Sequence, residues 1–435
     1  MPDRAFSASP EVQAQLDRLW ALSPGADVLG LERITKLLAR LGDPQRRLPP
    51  VFHVAGTNGK GSTCAFLRSG LEAAGYRVHV YTSPHLVRFN ERIRLAGALI
   101  DDDALAPLLA RVLDAGGDIG ASFFEVTTAA AFLAFAETPA DACVIEVGLG
   151  GRLDATNVLA PVVTGIAQLG LDHQQFLGDT VEAIAAEKAG IARANVPLVT
   201  MAYPPSVAAA VAAVARAGGA KIVAEGRDWR LTEPFGYEDA RGAVALAPPR
   251  LPGAHQRRNL GLATAMLRHQ TALRVPEAAL SQAGARAQWP ARMQRLAPGA
   301  LTASLPPGSS LWLDGGHNAA AAEAVRAAIT EASGDAPIWL VIGMLANKDA
   351  GALLAALAPG AAGLVAVPVA DHAHHPPEVL AAKAAALGLA AEVAADLPEA
   401  LARVGARMRA PGAVLILGSL YLAGAALAAN GEAPA

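Results

Sequence analysis

The run VFHVAGTNGKGS, from Val51 to Ser62, joins an apolar strand to a Gly-rich turn and the first residue of a helix. VFHVA is short, apolar and bounded by a turn signal, as a buried strand is. From about Ser62 to Ala74 the apolar residues recur at helical spacing, and Gly75 supplies the stop. A strand that turns through glycines into a helix aims backbone N–H groups and a helix N-terminus at one spot, which suits a polyphosphate. Gly56, Thr57, Asn58, Gly59, Lys60, Gly61 and Ser62 are therefore candidate nucleotide-binding residues. Lys60 is placed to neutralise the β and γ phosphates, and either Ser62 or Thr63 to reach the magnesium ion they carry. The standard P-loop pattern asks for Gly where this chain has Val54 and for Ser or Thr where it has Gly61, so the loop is a variant. The plain alternative is a Gly-rich turn before an ordinary helix.

Outward from this run, RVHVY completes a strand, loop, helix, strand unit. Cys143–Val147, Val162–Ala167, Val196–Thr200 and Lys221–Ala224 read as further strands, mostly separated by helical stretches, as a parallel sheet requires. Trp289–Gly308, carrying Pro290, Pro298, Pro306 and Pro307, reads as a boundary. Beyond it Leu311–Asp314, Ile338–Ile342, Leu364–Val369 and Val414–Leu417 alternate with Ala-rich helices. The expected fold class is α/β: a P-loop-type, mostly parallel sheet domain over residues 1–290, then a smaller Rossmann-like α/β domain over residues 291–435 that includes the hinge. At 435 residues the chain exceeds the size at which single cores stop growing, which fits two domains.

With 53% hydrophobic and 17% charged residues the chain is ordered and globular. A net charge of -3, with both signs interleaved, encodes no general attraction for nucleic acid or an anionic membrane, so small molecules are the expected partners. Cys64 and Cys143 sit in apolar segments, which argues against a disulfide framework or a thiolate zinc site and suits a reducing cytoplasm. The first ten residues, MPDRAFSASP, lack the apolar core of an export signal, and a cytoplasmic location is expected. Ala413–Ala429 approaches the length of a membrane span, but Gly418, Ser419 and Gly424 interrupt it, and a buried strand running into a helix explains it better. Asp371, His372, His374 and His375 have the composition of a metal site; Pro376 and Pro377 behind them favour a solvated loop turning into a helix.

Three strand ends deliver polar groups to one rim of the first sheet: TSPHL brings Ser83 and His85, VIEVGLGG brings Glu146 and a Gly-rich turn, and LDH brings Asp172 and His173. Singly each has an ordinary explanation, with Ser83 in a turn, Glu146 a paired core acid and His173 bonded within its loop. Together with the phosphate loop, the blocks GTNGKGS, TSPHLVRFNERIR, FFEVTTAAAF, EVGLGGRLDATN, LDH and EKAGI resemble the folylpolyglutamate synthase family, the folate branch of the Mur ligase superfamily, over most of the first domain.

That resemblance implies two magnesium ions, one held by Ser83 and Glu146 and the second by His173. It implies a CO2-derived carbamate on Lys188 of EKAGI, the alternative being a helix-surface lysine paired with Glu187. Pterin contacts map onto Leu29, Gly30, Leu31 and Glu32, onto Ser122, Phe123, Phe124 and Glu125, and onto Leu153, Asp154 and Ala155; helix packing is the alternative for the two phenylalanines. Asn259, Arg292 and Asp314 match positions that contact ATP; Asp314, His317 and Asn318 sit at a strand end leading into a helix, where Asp314 is placed to hold ribose and the other two to reach phosphate or glutamate. Related chains often read Pro-Gly-Arg where this one has Pro290, Ala291 and Arg292, so a changed backbone with the Arg contact kept is expected. Lys60, Lys188 and His317 are the catalytic candidates. The implied reaction, in a monomer, moves the γ-phosphoryl group of ATP onto the carboxylate of dihydropteroate or a folate and then joins L-glutamate, with closure of the domains excluding water. The rivals are a Mur-type ligase acting on a nucleotide-sugar peptide, and a nucleotide-binding switch that hydrolyses ATP without ligation.

Overall fold

The computed structural model describes residues 6–22 and 29–434, so the first half of MPDRAFSASP lies outside the described residues. Contacts divide the chain into two compact units. The first holds residues up to Pro84, Arg88–Arg250 and His255–Gln288, and the second holds His85–Val87, Leu251–Ala254 and Trp289–Ala435.

The first unit is built on an eight-stranded sheet. In chain order its strands are β1 (Val51–Ala55), β2 (Val78–Tyr81), β3 (Ile93–Leu95), β4 (Ala98–Leu99), β5 (Ala142–Glu146), β6 (Pro161–Ile166), β7 (Pro197–Thr200) and β8 (Lys221–Ala224). Their spatial order is β4-β3-β2-β5-β1-β6-β7-β8, parallel except for the β2–β3–β4 edge. Every residue of β1 is buried, which is why VFHVA runs apolar without alternation. The chain leaves β1 toward β2 on one side and later returns to β6 on the other, so β1 borders a switch point, where the carboxyl ends of an open sheet form a crevice. Register puts Val54 level with Glu146 of β5 and Gly165 of β6, so the last residue of β5 stands beside the start of the phosphate loop.

Two features were not expected from the sequence. Ile93–Leu95 and Ala98–Leu99 form a hairpin turned by Ala96 and Gly97, both at positive φ. A separate antiparallel sheet, β9 (Trp229–Thr232), β10 (Gly236–Asp239) and β11 (Gly242–Ala245), follows β8. β9 and β10 carry mixed charge, and each strand buries one residue of its inner face, with Trp229 stacked on Tyr237 at 5.8 Å between ring centroids. Asp239 ties the sheet to the helix Ala254–His269 through Arg268 at 2.7 Å.

The second unit has a six-stranded sheet of β12 (Gln294–Arg295), β13 (Ser310–Leu313), β14 (Ile338–Ile342), β15 (Ala361–Ala366), β16 (Ala391–Val393) and β17 (Ala413–Leu417). The order is β12-β13-β17-β14-β15-β16, all parallel apart from the short β12. The expected strand at 364–369 begins three residues earlier, at Ala361. Ala413–Ala429 is β17, wholly buried, followed by the helix Leu420–Ala429. Among the described residues no helix is long and apolar enough to cross a membrane. Cys64 and Cys143 are buried free thiols, and burial raises the pKa of both.

Candidate active site

The phosphate loop is held from below. Gly59 sits at φ 83, and a Cβ there would lie 2.4 Å from Oδ1 of Asn259, so only glycine fits under that side chain. The N–H groups of Thr57 and Asn58 donate to the carbonyl of Gln168 at 2.8 and 3.2 Å, Asn58 Nδ2 donates to Gln168 Oε1 at 2.7 Å, and Thr57 Oγ1 donates to the Gly170 carbonyl at 3.0 Å. The helix Lys60–Ala73 starts at Lys60, whose Nζ rests 3.3 Å from the Thr57 carbonyl. Thr63 spends its hydroxyl on the Gly59 carbonyl at 2.8 Å, whereas the buried Ser62 Oγ has no hydrogen-bond partner among the described residues. Between the two hydroxyls the sequence left open, Ser62 is the one available to a ligand.

At the neighbouring strand ends, the Ser83 N–H points at Glu146 Oε2 at 3.4 Å, and Glu146 is only 5% exposed. Ser83 and Glu146 therefore meet beside the phosphate loop. His173 is half-buried at φ 51, its N–H donating to Asp172 Oδ1 at 2.9 Å, on the loop that the Gln168 and Gly170 bonds stitch to the phosphate loop. Among the described residues no three of His, Cys, Asp and Glu converge into an all-protein metal cage. A carboxylate and a hydroxyl beside a phosphate loop fit Mg²⁺, which takes its other ligands from substrate phosphates and water.

Lys188 lies in the helix Val181–Ala189 and is 5% exposed. The surface-lysine alternative fails, because Glu187 pairs instead with Arg152 at 2.9 Å and Lys188 turns inward. Gly151 lets this helix dock: a Cβ there would stand 2.8 Å from the carbonyl oxygens of both Glu187 and Lys188. Asn157 Nδ2 ties the contact by donating to the carbonyls of Arg152 at 2.9 Å and Gly190 at 3.1 Å, and Arg193 donates in turn to Asn157. The loop after β5 and the EKAGI block thus form one interlocked piece.

Along the expected acceptor wall, Phe123 packs into the core against Trp20, Phe89 and Arg92, as the helix-packing alternative had it. Phe124 is half-buried, and the Cζ end of its ring fills the space a Cβ at Gly148 would need. Ser122 and Glu125 form a reciprocal cap on the helix Phe123–Glu137, and Glu125 also receives Arg33 at 2.9 Å. Sequence reading missed that role, although Ser122-x-x-Glu125 is a capping-box signature. Leu29, Gly30, Leu31 and Leu153 are half-buried and Glu32 is exposed. Asp154 and Ala155 are buried, the Asp154 carboxylate accepting from the N–H groups of Leu149 at 2.8 Å and Thr156 at 3.0 Å. Burial raises the Asp154 pKa, and those hydrogen bonds oppose the rise.

In the second unit Asp314, at the end of β13, accepts from the N–H groups of Met293 at 2.8 Å and Gly316 at 2.7 Å. Arg292 is half-buried and donates to the Ala291 carbonyl at 2.8 Å. Ala291 takes φ 54, the left-handed region that glycine occupies freely, so alanine carries strain there. His317 Nδ1 lies 3.0 Å from the Gly315 carbonyl, and Asn318 caps the helix Ala319–Ser333. His372, His374 and His375 each bond a backbone carbonyl, and His372 stacks on Tyr421 at 3.8 Å between ring centroids.

A phosphate loop at the switch point of one parallel sheet, flanked by a carboxylate and a buried lysine, and followed by a second α/β unit, defines an ATP-dependent ligase of the Mur type. Residues 301–420 match the family described as "Mur ligase, glutamate ligase domain". The dihydrofolate synthase/folylpolyglutamate synthase of Escherichia coli K12 is 38% identical over 330 residues, spanning 75% of this chain and 74% of that protein. The structure of E. coli FolC in complex with DHPP and ADP matches with a TM-score of 0.87 at 33% identity, covering 97% of both chains. A bifunctional folylpolyglutamate synthase/dihydrofolate synthase with Mn, AMPPNP and L-glutamate bound matches with a TM-score of 0.85 at 30% identity, covering 98% of this chain and 99% of that one. The chain belongs to the dihydrofolate synthase/folylpolyglutamate synthase family.

Proposed function

We propose that this chain ligates L-glutamate to the carboxylate of dihydropteroate and of reduced folates, with ATP as co-substrate and an acyl phosphate as intermediate. The observation that carries the reading is the meeting of Ser83 and Glu146 at the rim of the first sheet where the phosphate loop begins, with buried Lys188 docked on the loop that follows Glu146. In this reading Lys60 and the loop amides from Gly59 onward hold the polyphosphate. Ser83 and Glu146 hold one Mg²⁺ and His173 a second, and those ions supply charge neutralisation for phosphoryl transfer. Lys188 is the residue assigned to carbamate formation, which exchanges a cation for an anion suited to a metal ion. Phe124, with the 29–32 and 153–155 segments, forms the face for the pterin ring. Asn259, Arg292 and Asp314 are assigned to the nucleotide, and His317 to the phosphate or the incoming glutamate. The bound molecules of the related structures, ADP and DHPP in one and AMPPNP, Mn and L-glutamate in the other, support each assignment of substrate class.

The test is phosphate release by the purified protein with MgATP and L-glutamate, comparing no acceptor, dihydropteroate, tetrahydrofolate and a nucleotide-sugar peptide acceptor. Release together with a mass gain of one glutamate on a pterin substrate is expected. Hydrolysis indifferent to every acceptor would overturn the reading in favour of a nucleotide switch.

A further inference from the structure

His53 is the middle residue of β1 and is 1% exposed, an unusual place for an imidazole in an otherwise apolar strand. Its Nε2 lies 2.9 Å from Thr156 Oγ1, and the Thr156 hydroxyl donates to Asp154 Oδ1. With the hydroxyl proton committed to Asp154, Thr156 accepts from His53 Nε2–H, which fixes the neutral ring in that tautomer. Burial, reinforced by nearby Arg193, pulls the His53 pKa down to about 3, so the ring stays neutral at working pH. The other Asp154 oxygen, Oδ2, accepts from the Leu149 N–H at 2.8 Å. That bond pins the Gly148–Leu149 turn, and a Cβ at Gly148 would stand 2.3 Å from Cζ of Phe124. The chain of contacts runs from the centre of β1 to the ring of Phe124, and every link is buried or half-buried.

We propose that His53, acting through the Thr156 hydroxyl and Asp154, is a positioning residue for the aromatic acceptor: it sets the Gly148–Leu149 turn on which Phe124 rests. The inference rests on the reading of Phe124 as part of the acceptor wall. A hydrogen-bond chain in a dry interior is directional and holds one rotamer of each member, whereas apolar packing of the same volume leaves the carboxylate free to turn. None of these relay bonds reaches residues 56–62, so loss of the relay is expected to be felt by the acceptor more than by the nucleotide.

The test compares the parent protein with Thr156→Val, which keeps the shape and deletes the hydroxyl, Thr156→Ser, which keeps the hydroxyl, and His53→Gln. Steady-state phosphate release is measured with dihydropteroate and with ATP as the varied substrate. Thr156→Val is expected to raise the KM for the acceptor about tenfold while the KM for ATP stays within about twofold, and Thr156→Ser to return both to the parent values. His53→Gln is expected to shift the acceptor KM in the same direction, and it carries the test if Thr156→Val does not fold. An unchanged acceptor KM, a parallel rise in both KM values, or failure of Thr156→Ser to restore the acceptor KM would overturn the proposal. A parent protein indifferent to every acceptor would instead overturn the functional reading beneath it.

Discussion

Replacing Gly151 by alanine separates the placement of Lys188 from the chemistry of its side chain. The added Cβ meets the carbonyl oxygens of Glu187 and Lys188 at 2.8 Å and Cα of Lys188 at 2.9 Å, all backbone atoms that have no rotamer to escape into. Ordinary contact begins near 3.4 Å, so the docked end of the helix Val181–Ala189 has to retreat by about 0.6 Å, or the loop by as much. Overpacking of this kind costs about 1–3 kcal/mol. A shift of that size in a group that must sit within a few tenths of an ångström of its working place lowers turnover by about 10–100-fold. The assay is acceptor-dependent phosphate release beside thermal unfolding followed by circular dichroism. Gly117→Ala is the control, because its Cβ meets nothing closer than the Leu113 carbonyl at 3.6 Å and its φ of -57 suits any residue; it is expected to leave kcat unchanged and to keep or slightly raise the Tm. Full parent kcat and Tm in Gly151→Ala would refute the close docking of Lys188 on the loop after β5.

Three further outcomes are expected. Ser62→Ala removes a buried hydroxyl that lacks a partner among the described residues, so unfolding in urea is unchanged within about 0.5 kcal/mol while the KM for MgATP rises about tenfold. His53 is held near a pKa of about 3 by burial, against 6.5 when exposed, so only the unfolded chain gains a proton as pH falls below 6.5. Its contribution to stability is complete above pH 6.5 and is lost progressively toward pH 3, amounting to about 2 kcal/mol between pH 7 and pH 5; urea unfolding at the two pH values should show a smaller difference in His53→Gln. Ala291→Gly relieves left-handed strain of about 1–2 kcal/mol but gives back about 0.5–1 kcal/mol of backbone entropy and a buried methyl, so its stability stays within about 1 kcal/mol of the parent. Ala291→Val, measured the same way, is expected to lose at least about 2 kcal/mol.

The apolar period of VFHVA, the glycines after it and the helical spacing from Ser62 are local signals, and the strand, loop and helix they describe are in the structure. The alternation of strands and helices carried the two α/β units in the same way. The strands β9, β10 and β11 escaped because each is four residues long, with charges in β9 and β10 and only small residues around Val244 in β11, so neither a continuous apolar run nor a long alternation marks them. The polar groups at the ends of β2 and β5 were legible because open parallel sheets present their carboxyl ends to ligands. What the sequence hid were facts made by distant partners. Lys188 next to Glu187 reads as a surface pair until Arg152 takes the glutamate and Gly151 admits the helix. Ser62 and Thr63 are equivalent on paper, and only the Gly59 carbonyl tells them apart. The strain at Ala291 was hidden too, because a letter does not show that alanine has taken a positive φ.

The bonds from Thr57 and Asn58 to Gln168 bear on how the nucleotide pocket comes into being. Everything that looks like a phosphate loop is finished by Ser62, yet the carbonyl that shapes it arrives more than a hundred residues later, just past β6. A nascent chain on the ribosome therefore carries the motif long before it carries the pocket. Nucleotide affinity is acquired only when β6 docks beside β1, which makes ATP a ligand of the assembled sheet and a stabiliser of that docking. A fragment ending before Gln168 would keep every letter of GTNGKGS and lose its shape.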